Sequence, residues 1–446
     1  MYLHNYTTII SETPGLVNRK PLAGGEKGAI RRFSSCAFRG YLVKSKQGRK
    51  GSGLYENCVE KIFGGLRGSY FSYALTYFSF YFGMGAFISV QSVYLMGLGK
   101  STGEMSFIVS ASSLFGIVLI PAVGYLNDRL KKPRLIAGLL LAAVAVLGAV
   151  FAASRSTWVL YVLNGLIMGL VSAISPVCER MAGSGRFRYG TVRVWGTIGY
   201  AAAAQLAGLV MEFIAPRMIF VLFGAAIAVA AAGFAGTDGI RFEQEAEKST
   251  AADQLSFLSK PMFLLFAAIA LVFSGMSNLN ITYSPILLQE LGLSTGFVGT
   301  ALSLSTLVEL PVILFSNRFM DRFSGRALTA AGFAVMLLQF LLYGFSSSAW
   351  LAFLSMLLLK AVGSTLFMMI MLKVVRGIVR ENSVSTALGV INAANAVSTI
   401  LMQNLGGFIV GALGIHTMYF LLAGLSALGL LLSLFLRVQN AKKVFS

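Results

Sequence analysis

From residue 69 onward, the chain is a succession of apolar runs of about 20 residues, separated by short polar breaks. A helix rises 1.5 Å per residue, so about 20 apolar residues span the hydrocarbon core of a bilayer. Within that core every backbone N–H and C=O needs an internal partner, which restricts such runs to helices. Twelve runs can be placed, at roughly 69–96, 104–126, 134–153, 157–179, 190–212, 216–236, 261–288, 296–317, 327–346, 350–373, 384–411 and 415–437. The expected fold is therefore all-α and polytopic, with twelve transmembrane helices. Charge supports this: 12% of the 446 residues are charged, against about 25% in a soluble domain.

The longest break, 237–260, is the acidic one, with Asp238, Glu243, Glu245 and Glu247. It divides the chain into a first bundle at 68–236 and a second at 261–438, flanked by tails at 1–67 and 439–446. The first tail carries 12 basic and 4 acidic residues and no apolar core of a secretory signal, so a disordered cytoplasmic segment is expected. Basic residues also set the orientation. Arg129, Lys131, Lys132 and Arg134 follow the second run; Arg180, Arg186 and Arg188 the fourth; Arg318, Arg322 and Arg326 the eighth; Lys373, Arg376 and Arg380 the tenth. The opposite breaks hold little beyond Lys100, Arg155 and Arg217. The positive-inside rule puts the basic loops and both termini in the cytoplasm of a cell-membrane protein.

An internal repeat reinforces the division. Gly99-Lys100-Ser101-Thr102-Gly103 opens the second run, and Gly292-Leu293-Ser294-Thr295-Gly296 opens the eighth, 193 residues later. At the same offset, Asp128-Arg129 and Asp321-Arg322 recur at the far ends of those runs. Two matches at one offset indicate two related halves. Neither segment has an enzyme's context. The G-x-S-x-G of 292–296 follows no strand, and Tyr94 stands where a P-loop needs its first glycine. Three cysteines (Cys36, Cys58, Cys178) and two histidines (His4, His416) lack metal-ligand spacing, so neither metal nor cofactor is expected.

Four ionisable residues fall inside or at the ends of apolar runs, where an unpaired charge costs several kcal/mol: Glu179, Arg193, Glu309 and Lys360. Glu309 is enclosed by Leu307-Val308 and Leu310-Pro311-Val312. Tyr200 lies two helical turns beyond Arg193, on the same face. Asn392, Asn395 and Thr399 share one face of the eleventh run and suggest the lining of a cavity, with Asn392 and Asn395 as candidate substrate-binding residues.

The loop Gly124-Tyr125-Leu126-Asn127-Asp128-Arg129-Leu130-Lys131-Lys132 resembles the G-x-L-x-D-R-x-x-[RK] signature of the major facilitator superfamily. A carboxylate there can pair with an arginine or the end of a neighbouring helix, so Gly124, Asp128, Arg129, Asp321 and Arg322 are read as a conformational latch. The aromatic first run, Pro176-Val177-Cys178-Glu179, and Tyr189-Gly190-Thr191-Val192-Arg193-Val194-Trp195-Gly196 resemble the lactose permease branch, which includes oligosaccharide–proton symporters and phenylpropionate-type permeases. The resemblance spans about 69–437. It implies two pseudo-symmetric six-helix bundles around a central site. It also implies that Glu179 and Arg193 bind the solute, that Tyr200 stacks on it, and that Glu309 and Lys360 serve proton coupling. The branch's helix-10 His and Glu fall near Gly363 and Leu366, its helix-7 acids are replaced by Asn278 and Asn280, and Gln339 stands nearest its helix-9 arginine.

The resulting expectation is a monomeric, alternating-access secondary transporter of a small sugar-like solute, coupled to protons and embedded in lipid, with no nucleic-acid partner. The alternatives are a carrier of an organic anion, nucleoside or drug-like compound by uniport or antiport, and a non-transporting sensor on the same fold. No nucleophile–base pair or metal cluster suggests an enzyme.

Overall fold

The computed structural model describes residues 68–184, 187, 189–237, 256–316, 320, 322–380 and 383–438. Both tails, most of the acidic break, Asp321, and the loop residues Arg186, Arg188 and Arg318 lie outside the described residues. Twelve helical spans follow in order: α1 (Tyr70–Ile88, resuming at Gln91–Gly97), α2 (Thr102–Leu130), α3 (Pro133–Ala153), α4 (Thr157–Ser184), α5 (Tyr189–Phe213) and α6 (Ile219–Gly236) in the first half. In the second half come α7 (Pro261–Glu290), α8 (Thr295–Leu314), α9 (Gly325–Gly344), α10 (Ala349–Ile378), α11 (Val384–Leu413) and α12 (Ile415–Leu434). Among the described residues, eleven of these helices are long enough and apolar enough to cross a bilayer. The twelfth, α10, is Ala349–Ser355 and Ala361–Ile378 joined by a π-helical turn at Met356–Lys360.

Local chemistry explains the ends. Ser101 caps α2 by accepting from Glu104 N, while Glu104 accepts from Ser101 N, which completes a capping box. Ser294 accepts from Phe297 N at the matching end of α8, 3.3 Å away. The glycines just before these caps, Gly99 and Gly292, both have positive φ, at 80° and 91°. A side chain would be strained there. The repeat in sequence is therefore a repeated turn that leads the chain into a capped helix.

Packing follows the same twofold logic. In the first half α1 packs on α5 and α6, α2 on α4, and α3 on α4 and α6; in the second, α7 packs on α11 and α12, α8 on α10, and α9 on α10 and α12. The halves meet through α5–α8 and α2–α11, which the same 193-residue correspondence exchanges. At the ends opposite the basic loops the halves are bonded through these contacts and between α2 and α7. Thr102 donates to Gly407 O at 3.1 Å, Ser106 and Tyr283 share a 2.7 Å hydroxyl bond, and Glu212 Oε2 accepts from Gly296 N at 2.5 Å. Gly208 and Gly299 let α5 and α8 approach backbone to backbone.

At the basic end the structure revises two expectations. Lys373 and Arg376, read as loop residues, lie within α10, which extends to Ile378. Lys373 is 4% exposed; its Nζ donates to Phe323 O at 2.7 Å and to Met320 O. Burial of that cation is tolerated because two carbonyls of the α8–α9 connection accept from it. Arg180 likewise lies in α4. Finally, Asp128, Arg129 and Arg322 are exposed, as is the backbone at Gly124, and among the described residues Asp128 makes no ion pair. Lys131, with φ of 51°, ends α2 in a left-handed cap immediately afterwards.

Candidate functional site

Helix α4 brings Glu179 into the interior one turn past Pro176, and its carboxylate is 2% exposed. A carboxylate so placed is stable only if its oxygens are satisfied. Tyr81 of α1 donates to Oε1 at 2.7 Å, Tyr189 of α5 donates to Oε2 at 2.5 Å, and Arg193 Nη1 donates to Oε1 at 3.1 Å. Arg193 Nη1 also donates to the Tyr189 hydroxyl at 2.5 Å, and its guanidinium carbon lies 5.8 Å from the Tyr189 ring centre. Four side chains from three helices thus form one closed ring of charge-assisted bonds. Tyr189 and Arg193 are four residues apart on α5 and so share its face.

A small cavity of about 20 Å³ adjoins this ring. Its wall brings Arg193, Tyr77 and Tyr81 from the first half to Thr306 and Glu309 from the second. Glu309 sits half-buried in α8, two residues before Pro311, and interacts electrostatically with Lys360. Lys360 closes the π-helical turn of α10. The extra residue of a π turn re-aims the side chains beyond it, a feature common at functional sites. The four intramembrane charges therefore resolve into two opposite-sign pairs, one in each half.

A second cavity of about 420 Å³ lies between mid-membrane and the basic end. One wall is α2 and α4, including Ser112, Ser113, Ser172 and Ser175; the other is α7 and α11, including Ser274, Asn278, Asn392, Asn395 and Thr399. Ser175 lies one turn before Glu179, so the charged ring and this cavity are neighbours along α4. The expected face of α11 does line a cavity. Tyr200, by contrast, lines neither. It is 9% exposed within the hydrophobic core, and its carbonyl would stand 2.9 Å from a Cβ at Gly85. Two turns of α5 carry it past the site into the α1–α5 contact.

Tyr77, Tyr81 and Tyr189 complete the site, although the sequence reading gave them no role there. Their spacing holds a signal: Tyr77 and Tyr81 are four apart on α1, as Tyr189 and Arg193 are on α5. Among the described residues there is no group of three or more His, Cys, Asp or Glu that could hold a metal.

Known proteins share this architecture. The MFS_1 like family profile matches residues 70–434. A maltose permease from Geobacillus stearothermophilus is 27% identical over 375 residues, covering 82% of this chain and 93% of that protein. A probable 3-phenylpropionic acid transporter from Escherichia coli strain K12 is 26% identical over 266 residues, 57% of this chain and 68% of that one. Among solved structures, the nucleoside transporter NupG superposes with a TM-score of 0.69 at 15% identity, over 82% of this chain and 98% of that one.

Proposed function

We propose that this chain, which belongs to the MFS_1 like family and is a multi-pass membrane transporter rather than an enzyme, carries a small uncharged polar solute of the sugar class together with protons. The observation that carries the proposal is the buried ring of Glu179, Arg193, Tyr81 and Tyr189 facing Glu309 across a cavity between the halves. Glu179 and Arg193 already neutralise one another. An anionic solute at Arg193 would have to displace that carboxylate, whereas a hydroxyl can insert between the two and bond to both. This favours a polyol over an organic anion, in keeping with the maltose permease among the relatives.

Glu309 is read as the proton site. It is a carboxyl within the span whose proton can come and go, and Lys360 balances the carboxylate's charge when the proton leaves. The exposed Asp128, Arg129 and Arg322, the bonded far ends and the cavity toward the basic end support a conformation open to the basic side. By the positive-inside rule that side is read as the cytoplasmic side of the cell membrane. Transport would follow as the halves rock about the α5–α8 and α2–α11 contacts.

The test is pH recorded outside lightly buffered proteoliposomes as sugars, nucleosides and aromatic acids are added in turn. An alkaline jump with sugars alone is expected. Glu309→Gln should abolish that jump and uphill accumulation while preserving exchange of labelled solute. Accumulation surviving in Glu309→Gln would remove Glu309 as the proton site, and a jump with aromatic acids alone would replace the sugar reading.

A further inference from the structure

The two halves enter α2 and α8 through the same turn but bring different groups to the first turn of the helix. Residues 101–104 read Ser-Thr-Gly-Glu, and residues 294–297 read Ser-Thr-Gly-Phe. In α2 the helix's own Glu104 returns to Ser101 N at 3.0 Å and closes the capping box. In α8 Ser294 still caps, but Phe297 brings no carboxylate. The carboxylate there comes from the other half. Glu212, in the last turn of α5, accepts from Gly296 N at 2.5 Å. Gly296 admits it, since a Cβ at that position would stand 2.6 Å from Glu212 Oε2. A carboxylate on a helix N-terminus gains both a charge-assisted bond and the favourable end of the helix dipole. The other seam has no counterpart. The 193-residue correspondence puts Leu405 of α11 in the place of Glu212, and the bonds between the halves on that side are made by the hydroxyls of Thr102, Ser106 and Tyr283.

We infer that Glu212 is a proton-responsive clasp: ionised, it holds α5 to α8 and keeps the far end closed; protonated, it loosens its hold and lets that end open. The inference rests on the proposed rocking of the halves and adds to it control by the pH of the far side, separate from the solute and from Glu309. The direction follows from what each form can do. The carboxylate favours the closed conformation and the neutral acid does so less, so acid on the far side shifts the balance toward opening there. A carrier that takes up protons with its solute would then open on the side where protons are abundant. Glu212 is exposed, so protons reach it without entering the span. Neighbouring charges do not claim it. Arg217 lies in the turn after α5, Arg155 precedes α4, and Lys100 pairs with Glu104 at 3.7 Å. Glu290 ends α7 and interacts with His416 of α12. The far-end turns of α1, α4, α6, α8 and α10 carry no charged residue. Of the tyrosines at this end, Tyr283 bonds to Ser106, and Tyr94 packs on Phe151 and Phe220. Among the described residues, Glu212 makes no ion pair.

The test is the far-end distance in the full chain in nanodiscs, read by pulsed electron–electron resonance. Labels go on Ser156→Cys and Ser347→Cys, exposed positions of the α3–α4 and α9–α10 loops, in protein without its native cysteines. Glu309→Gln is present throughout, so that the proposed proton site is silent. From about pH 8 to about pH 5 the ratio of far-end-open to far-end-closed molecules should rise about five- to tenfold, the difference between a charge-assisted bond at a helix N-terminus and a neutral one. Glu212→Gln keeps the shape and an acceptor but not the charge. It should start with the ratio already raised by that factor and change less than about twofold over the range. Gly296→Ala leaves the acid but puts a methyl where its oxygen sits, and should also lose the response. Gly103→Ala, at the equivalent turn of α2, should keep it. A response carried by His416 or any other group would survive Glu212→Gln. The inference is overturned if the response survives in Glu212→Gln or in Gly296→Ala, or is lost equally in Gly103→Ala. It is overturned too if protein with Glu212 shows no response while Gly208→Leu opens the far end. A far end that opens in no variant, Gly208→Leu included, overturns the rocking of the halves itself.

Discussion

Closure at the far end depends on how near α5 can come to α8, and Gly208→Ala tests it. A Cβ at Gly208 would stand 2.8 Å from both Gly299 Cα and Thr295 O, and 3.1 Å from Gly299 N. Every one of these atoms is backbone, so no side chain can rotate away. Carbon atoms are comfortable at about 3.5–4.0 Å, so the two helices must part by about 0.7 Å or more. Overpacking of this kind costs about 1–3 kcal/mol. It falls only on the conformation in which the far ends touch, because the contact is absent once they separate. Each 1.4 kcal/mol shifts a two-state equilibrium tenfold, so the ratio of far-end-open to far-end-closed molecules should rise by about 5- to 150-fold. Gly208→Leu should shift it further. The assay is pulsed electron–electron resonance between spin labels on Arg155→Cys and Ser347→Cys, exposed positions in the α3–α4 and α9–α10 loops, in protein without its native cysteines. A longer-distance population should grow in the order wild type, Gly208→Ala, Gly208→Leu. Gly103→Ala, where a Cβ meets nothing within 4 Å, should behave as wild type. Unchanged distances in a folded Gly208→Leu protein would refute the idea that this contact sets closure.

Other perturbations follow from the same geometry. Tyr189→Phe removes the hydroxyl bonded to both Glu179 and Arg193. A bond to a charged group contributes about 1.5–3 kcal/mol, so solute affinity should fall about 10- to 150-fold, as read by equilibrium binding. Arg193→Lys keeps the charge but not the planar fork, and in the same titration it should weaken binding at least tenfold. Ser106→Ala and Tyr283→Phe, combined in a double-mutant cycle on the spin-label distance ratio, should show a coupling of about 0.5–1.5 kcal/mol; additivity would mean that their 2.7 Å bond does not hold the far end. Lys373→Met strips a buried donor from the Met320 and Phe323 carbonyls and should lower stability by about 1–3 kcal/mol, visible as a lower unfolding midpoint in detergent.

The sequence by itself determined the helices, because their physics is local. Run length against bilayer thickness predicts each span, and polar breaks mark the turns. The recurrence of Gly99 and Gly292 before Ser101 and Ser294 locates the same turn and cap in both halves. The rarity of charge in apolar segments singled out Glu179, Arg193, Glu309 and Lys360, and all four stand in the interior between helices. What only the tertiary structure decided is partnership, which joins residues from distant parts of the chain. Tyr81 lies 98 residues from Glu179, and no local pattern shows that its hydroxyl ends on that carboxylate. Tyr200 lies two turns beyond Arg193 on α5, where its backbone meets α1 at Gly85, and it is buried in the core rather than in the wall of either cavity. Lys373 reads as a loop charge because a lone cation in lipid is costly, and it becomes a buried one because two carbonyls of another helix connection receive it. The π turn that sets Lys360 is likewise silent in the sequence, and it lies where α10 packs against α8 and α9. Periodicity and charge specify which faces must be buried; the packing of the twelve helices decides what meets there.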